Sequence, residues 1–162
     1  MEEHHVVDAL RCVILLEEAV ADLYDRLARL VKIVECSAAL AFVARESSNH
    51  AALLKSLYGE PLSEKCPQIL GTAGATTLSR IREVAAKLDA GWTPSHRQVA
   101  ELLEELNDVE RLVGEEVYTQ IAAAVLSTRF SRLQGELLMS IAEEEKRHYE
   151  IVRIVAEELK KQ

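Results

Sequence analysis

At 162 residues, the chain is long enough for one domain to bury a sizeable core without disulfide or metal staples. Half of it is apolar and only 4% aromatic, with Ala, Leu, Val, Glu and Arg prominent, a balance that favours helix throughout. The net charge of -8 argues against a nucleic-acid partner, because phosphate binding needs concentrated Lys and Arg. No apolar run reaches the length of a membrane span, no basic amphipathic face stands out, and the start Met-Glu-Glu-His-His lacks a signal-peptide layout. A cytoplasmic protein without a membrane role is expected.

In chain order, the first helix is expected from about Glu3 to Val34. Its stripe Leu10, Val13, Ile14, Glu17, Val20, Ala21, Tyr24, Leu27, Ala28, Val31 follows the helical period, with Glu17 as the polar interruption and Tyr24 as core. Leu16, Leu23 and Leu30 add a second apolar stripe, wider than one bundle core requires, which points to a homo-oligomer interface. The second helix is expected from about Ser37, as N-cap, to Tyr58. All three prolines and four of the six glycines fall between Tyr58 and Gln98, so positions 59–92 read as one long connection. Within it, Thr77 to Ala90 reads as a short helix stopped by Gly91, and Trp92 as an anchor onto the bundle. The run L70-G-T-A-G-A-T-T77 reads as a flexible loop. Its less favoured reading is a site for a small anion or nucleotide, supported by Arg80 and Arg82.

The third helix is expected to start at Thr93-Pro94, an N-cap followed by a proline in the first turn, and to reach about Leu126. The fourth should run from Ser131 to about Lys160, opened by the capping-box pattern Ser131-x-x-Gln134. The expected architecture is all-α: a single domain over 1–162, in which two helical hairpins joined by a long crossover make a four-helix bundle. Cys12, Cys36 and Cys66 are widely spaced and form no CxxC pair. They read as buried thiols in a reducing compartment, with a disulfide between two of them left open.

Two stretches align without gaps: A44-R-E-S-S-N-H50 and A142-E-E-E-K-R-H148. Glu46 meets Glu144, His50 meets His148, and Ser47 meets Glu145. On the fourth helix Glu145 and His148 interrupt the stripe Leu138, Ile141, Val152, Val155; on the second, Ser47 and His50 interrupt Leu40, Val43, Leu54, Leu57. The first and third helices align likewise, placing Glu17 and Glu110 at matching inward positions, although Glu116 competes with Glu110. Burying several carboxylates and imidazoles costs several kcal/mol unless they are compensated, and no Lys or Arg lies on these stripes. A divalent cation would compensate them; carboxylate oxygen with imidazole nitrogen suits iron, manganese or zinc.

The phrase I141-A-E-E-E-K-R-H-Y-E150, with its E-x-x-H, together with L16-E-E-A-V-A-D-L-Y24, resembles the ferritin-like superfamily, particularly its rubrerythrin-type members. The resemblance implies a ferritin-like bundle with a two-metal centre, ligated by Glu17, His50, Glu110, Glu145 and His148. It also implies iron handling, or peroxide or oxygen reduction. The departure is Ser47, where such members carry a bridging glutamate; Glu46 would then take part only through a different geometry, with His50 at i+4. No rubredoxin-like CxxC pair is present. The altered centre leaves a second expectation, a metal-free structural or small-ligand-binding oligomer on the same fold.

Overall fold

In a computed structural model, residues 3–108, 111 and 131–162 are described, and all their regular structure is helical. Six helices follow one another: α1 (Glu3–Leu30), α2 (Val34–Tyr58), α3 (Cys66–Ile69), α4 (Gly71–Asp89), α5 (96–108 in its described part) and α6 (Arg132–Lys160). No helix among the described residues is long and apolar enough to cross a membrane.

The turn between α1 and α2 comes earlier than the apolar pattern predicts. Ser37 does not cap α2, whose N-cap is Ile33 without a side-chain bond. Its hydroxyl instead donates to the Ala28 carbonyl at 2.7 Å, satisfying an acceptor in the last turn of α1. The start of α5 is also shifted. Ser95 and Gln98 exchange side-chain and backbone hydrogen bonds, so the capping box lies two residues beyond Thr93. The Ser131–Gln134 box opens α6 as expected.

The connection is more ordered than its composition indicates. Gly71 to Thr77 is not a loop but the first two turns of α4. Gly71 takes φ +68°, a bend that separates α3 from α4 and that other residues rarely adopt. A Cβ on Gly74 would come within 2.7 Å of Leu70 Cβ, so glycine is what lets Leu70 pack against the helix start. Gly91, at φ +91°, ends α4, and Trp92 packs against the core just beyond it. Cys12 and Cys66 form a disulfide that ties α3 to α1, correcting the expectation of three thiols; Cys36 is free and buried.

Leu16 and Leu23 are buried within the chain, in a core to which the connection contributes Cys66, Leu70, Leu78, Ile81 and Val84; only Leu30 of that stripe is exposed. The extra apolar width of α1 thus receives the crossover. Glu46 meets His148 while His50 meets Glu144, so α2 and α6 run antiparallel where they touch. Lys160 pairs with Glu104, and Asn107 donates to the Tyr149 carbonyl, so α5 and α6 are also antiparallel. It follows that α2 and α5 point the same way.

The apolar core is divided. One cluster includes Val20, Leu23, Tyr24, Leu27, Leu40, Val43 and Ala44, and continues to Val152, Val155 and Leu159. The other includes Leu10, Val13, Ile14, Leu16, Ala51, Leu54, Leu138 and Ile141. On each of α1, α2 and α6 the break between clusters falls at the polar interruption: Glu17, Ser47 with His50, and Glu145 with His148.

Candidate metal centre

Each helix contributes to this layer for a local reason. Glu17 continues the inward stripe of α1 between Val13 and Val20 and is only 5% exposed. On α2 and α6, residues three and four apart share a face, so Ser47 and Glu46 flank His50 as Glu145 and Glu144 flank His148. Both histidines and Ser47 are buried, whereas Glu46 and Glu144 lie at the edge of the layer, their side chains 25% and 33% exposed.

The two histidines are held crosswise. His50 Nε2 lies 2.7 Å from Glu144 Oε2, and His148 Nε2 lies 2.7 Å from Glu46 Oε2. A carboxylate only accepts, so each Nε2 carries a proton and donates it. The other ring nitrogens face inward. His50 Nδ1 is 3.1 Å and His148 Nδ1 3.2 Å from the same atom, Glu145 Oε1; Glu17 Oε1 is 3.7 Å from His50 Nδ1. The rings are near-parallel, with centroids 5.6 Å apart.

Both Nδ1 atoms and Glu145 Oε1 are buried, and none makes an aligned hydrogen bond. Buried polar atoms are rarely left this way unless another species satisfies them. Three of the residues, Glu17, His50 and Glu145, each offer one atom within 4.8 Å of the others, a group that can hold a metal ion. The donors fit such an ion chemically: carboxylate oxygens and imidazole nitrogens, with each ring oriented by a carboxylate on its far nitrogen.

Without an ion, the same atoms form a charged cluster. Burial pulls the His50 pKa down, but contact with Glu145 and Glu17 outweighs this and pushes it up to about 11. For His148, burial is likewise outweighed, by Glu145 and then Glu46, and its pKa rises. Burial raises Glu145, yet the two imidazoles bring it down to about 2. The proton on His50 Nδ1 then occupies the place a cation would take.

Of the residues singled out from sequence, Glu17, Glu46, His50, Glu145 and His148 come together. Glu110 and its competitor Glu116 lie outside the described residues. Glu46 does not join His50 at i+4 but reaches the outer nitrogen of His148 on another helix, and Glu144 does the same for His50. The matched E-x-x-x-H spacing of Glu46–His50 and Glu144–His148 marks both carboxylates in the sequence, but not which histidine each one reaches. No known protein family, characterised protein or solved structure matches the chain.

Proposed function

We propose that this chain is a ferritin-like, rubrerythrin-type metal-binding protein with an altered intrahelical Glu/His centre. Iron handling, or the reduction of peroxide or oxygen, would be its chemistry. The observation that carries the reading is the set of buried, unsatisfied donors, His50 Nδ1, His148 Nδ1 and Glu145 Oε1, gathered at one point of a divided core. The shared direction of α2 and α5, separated by a long crossover, supports the ferritin-like topology.

His50, His148, Glu145 and Glu17 would hold the ion, which when bound supplies a redox-active or Lewis-acidic centre. Glu144 and Glu46 fix the ring orientations from outside. The apolar clusters on either side keep bulk water from the layer, and Tyr24 fills the core about two helical turns from Glu17.

A metal-free structural oligomer is the second reading, favoured by the mutual charge compensation of the imidazoles and Glu145. Metal analysis of untagged protein after incubation with Fe(II), Mn(II) or Zn(II) separates the two. Substantial retention of at least one metal supports the centre; less than about 0.2 ion per chain with all three defeats it.

A further inference from the structure

We infer that the centre takes a single divalent ion per chain rather than a pair, because the two-fold repetition of α2 and α6 breaks at Ser47. The inference rests on the metal-centre reading and adds its capacity. Around the antiparallel contact of α2 and α6, Glu46 corresponds to Glu144 and His50 to His148, and the crossed 2.7 Å contacts repeat on both sides. The position three residues before each histidine does not repeat: it is Glu145 on α6 and Ser47 on α2.

A symmetric centre would give each imidazole its own inward carboxylate. Here both Nδ1 atoms face one oxygen, Glu145 Oε1, at 3.1 and 3.2 Å, so the unsatisfied donors define one locus. Serine is too short and, being neutral, cannot supply the missing anionic donor from α2. Glu46 and Glu144 cannot replace it without giving up the outer nitrogens they hold.

Charge leads to the same count. Among the described residues, the inward carboxylates are Glu17 and Glu145, whose two negative charges balance one divalent ion with two neutral imidazoles. The described residues offer a second buried dication no further inward carboxylate, and an uncompensated buried charge costs several kcal/mol.

The test uses the full chain, loaded separately with Zn(II) and Mn(II). Elemental analysis gives the stoichiometry, and electron paramagnetic resonance reports whether Mn(II) ions are coupled. Saturation near one ion per chain, with an uncoupled Mn(II) spectrum, is expected. Two ions per chain with a coupled spectrum would overturn the inference and leave the metal-centre reading standing; no bound ion would overturn both. Ser47→Ala should keep the single ion with affinity within about threefold, and loss of the ion would overturn the assignment of Ser47 as a non-ligand. Folded Ser47→Glu should gain a second ion. If it remains at one, Ser47 is not what limits the capacity, and the inference fails; if it does not fold, the wild-type and Ser47→Ala stoichiometries decide.

Discussion

The metal-free and metal-bound centres should depend on pH in opposite directions. In the metal-free protein His50 is raised from 6.5 to about 11, so its contribution to stability is complete below about 6.5 and disappears as pH rises through 11. Glu145 is lowered from 4.5 to about 2, so its contribution is present above 4.5 and is lost as pH falls through 2. Together they place the cluster's greatest stabilisation between about pH 4.5 and 6.5, with decline on the alkaline side. Metal binding needs bare Nδ1 atoms and must displace protons. From a pKa near 11, the His50 proton alone weakens apparent affinity at pH 7 by about four decades, and each displaced proton gives up to about a tenfold gain in affinity per pH unit. The assay is calorimetric unfolding with and without Zn(II) from pH 5.5 to 8.5, with proton release counted by an indicator dye in weak buffer. The metal-free Tm should fall across the upper part of this range while the Zn(II)-induced increase grows. A metal-free contribution from this cluster that rises with pH, or binding without proton release, would show that the imidazole of His50 is not held protonated in the metal-free protein.

Three further outcomes follow from the geometry. Replacing both cysteines, Cys12→Ala with Cys66→Ala, removes a link between residues 54 apart, which chain entropy values at about 4 kcal/mol. Thermal unfolding should then come about 8–16 °C earlier with metal stoichiometry unchanged, and a shift of only a degree or two would show that the link constrains little. Glu46→Gln and Glu144→Gln should each weaken metal binding about 10–100-fold while keeping its stoichiometry, as expected of groups that orient a ligand; loss of the ion would make them ligands. Replacing Glu17, His50, Glu145 and His148 together by Leu should abolish binding without lowering metal-free stability, measured by denaturant unfolding.

Much of the fold is readable from local signals. The helical period of α1 and the Ser131–Gln134 box act within a few residues; the first finds its helix, though not its end, and the second places the start of α6. Ser95–Gln98 carries the same box, but Thr93-Pro94 offers a competing start two residues earlier, and only the hydrogen bonds decide between them. Ser37 misleads because a hydroxyl that can cap the helix ahead can equally serve the carbonyls of the helix behind. Gly71 to Thr77 has loop composition, yet the Leu70 contact at Gly74 and the bend at Gly71 make those glycines parts of a helix start. For the site, the matched interruptions at Ser47–His50 and Glu145–His148 are visible in one dimension. The crossed contacts of Glu46 and Glu144 are not, since they require α2 and α6 to lie antiparallel. The Cys12–Cys66 bond is equally non-local, joining positions with no spacing signature.

Stability is a poor explanation for the polar layer itself. Apolar residues lie above and below it on all three helices, and leucine there would join two clusters into one continuous core. Buried ion pairs generally do no better than hydrophobic residues of similar volume, because desolvation offsets their attraction. Nor does the cluster satisfy itself fully, since three of its buried atoms lack aligned partners even where their charges are balanced. The arrangement is orderly where a ligand site needs order: each imidazole is clamped at its outer nitrogen and left open at its inner one. A layer that only filled space would have no need to point both inner nitrogens at a single carboxylate oxygen. That direction, more than the presence of glutamates and histidines, is what suits the layer to an ion.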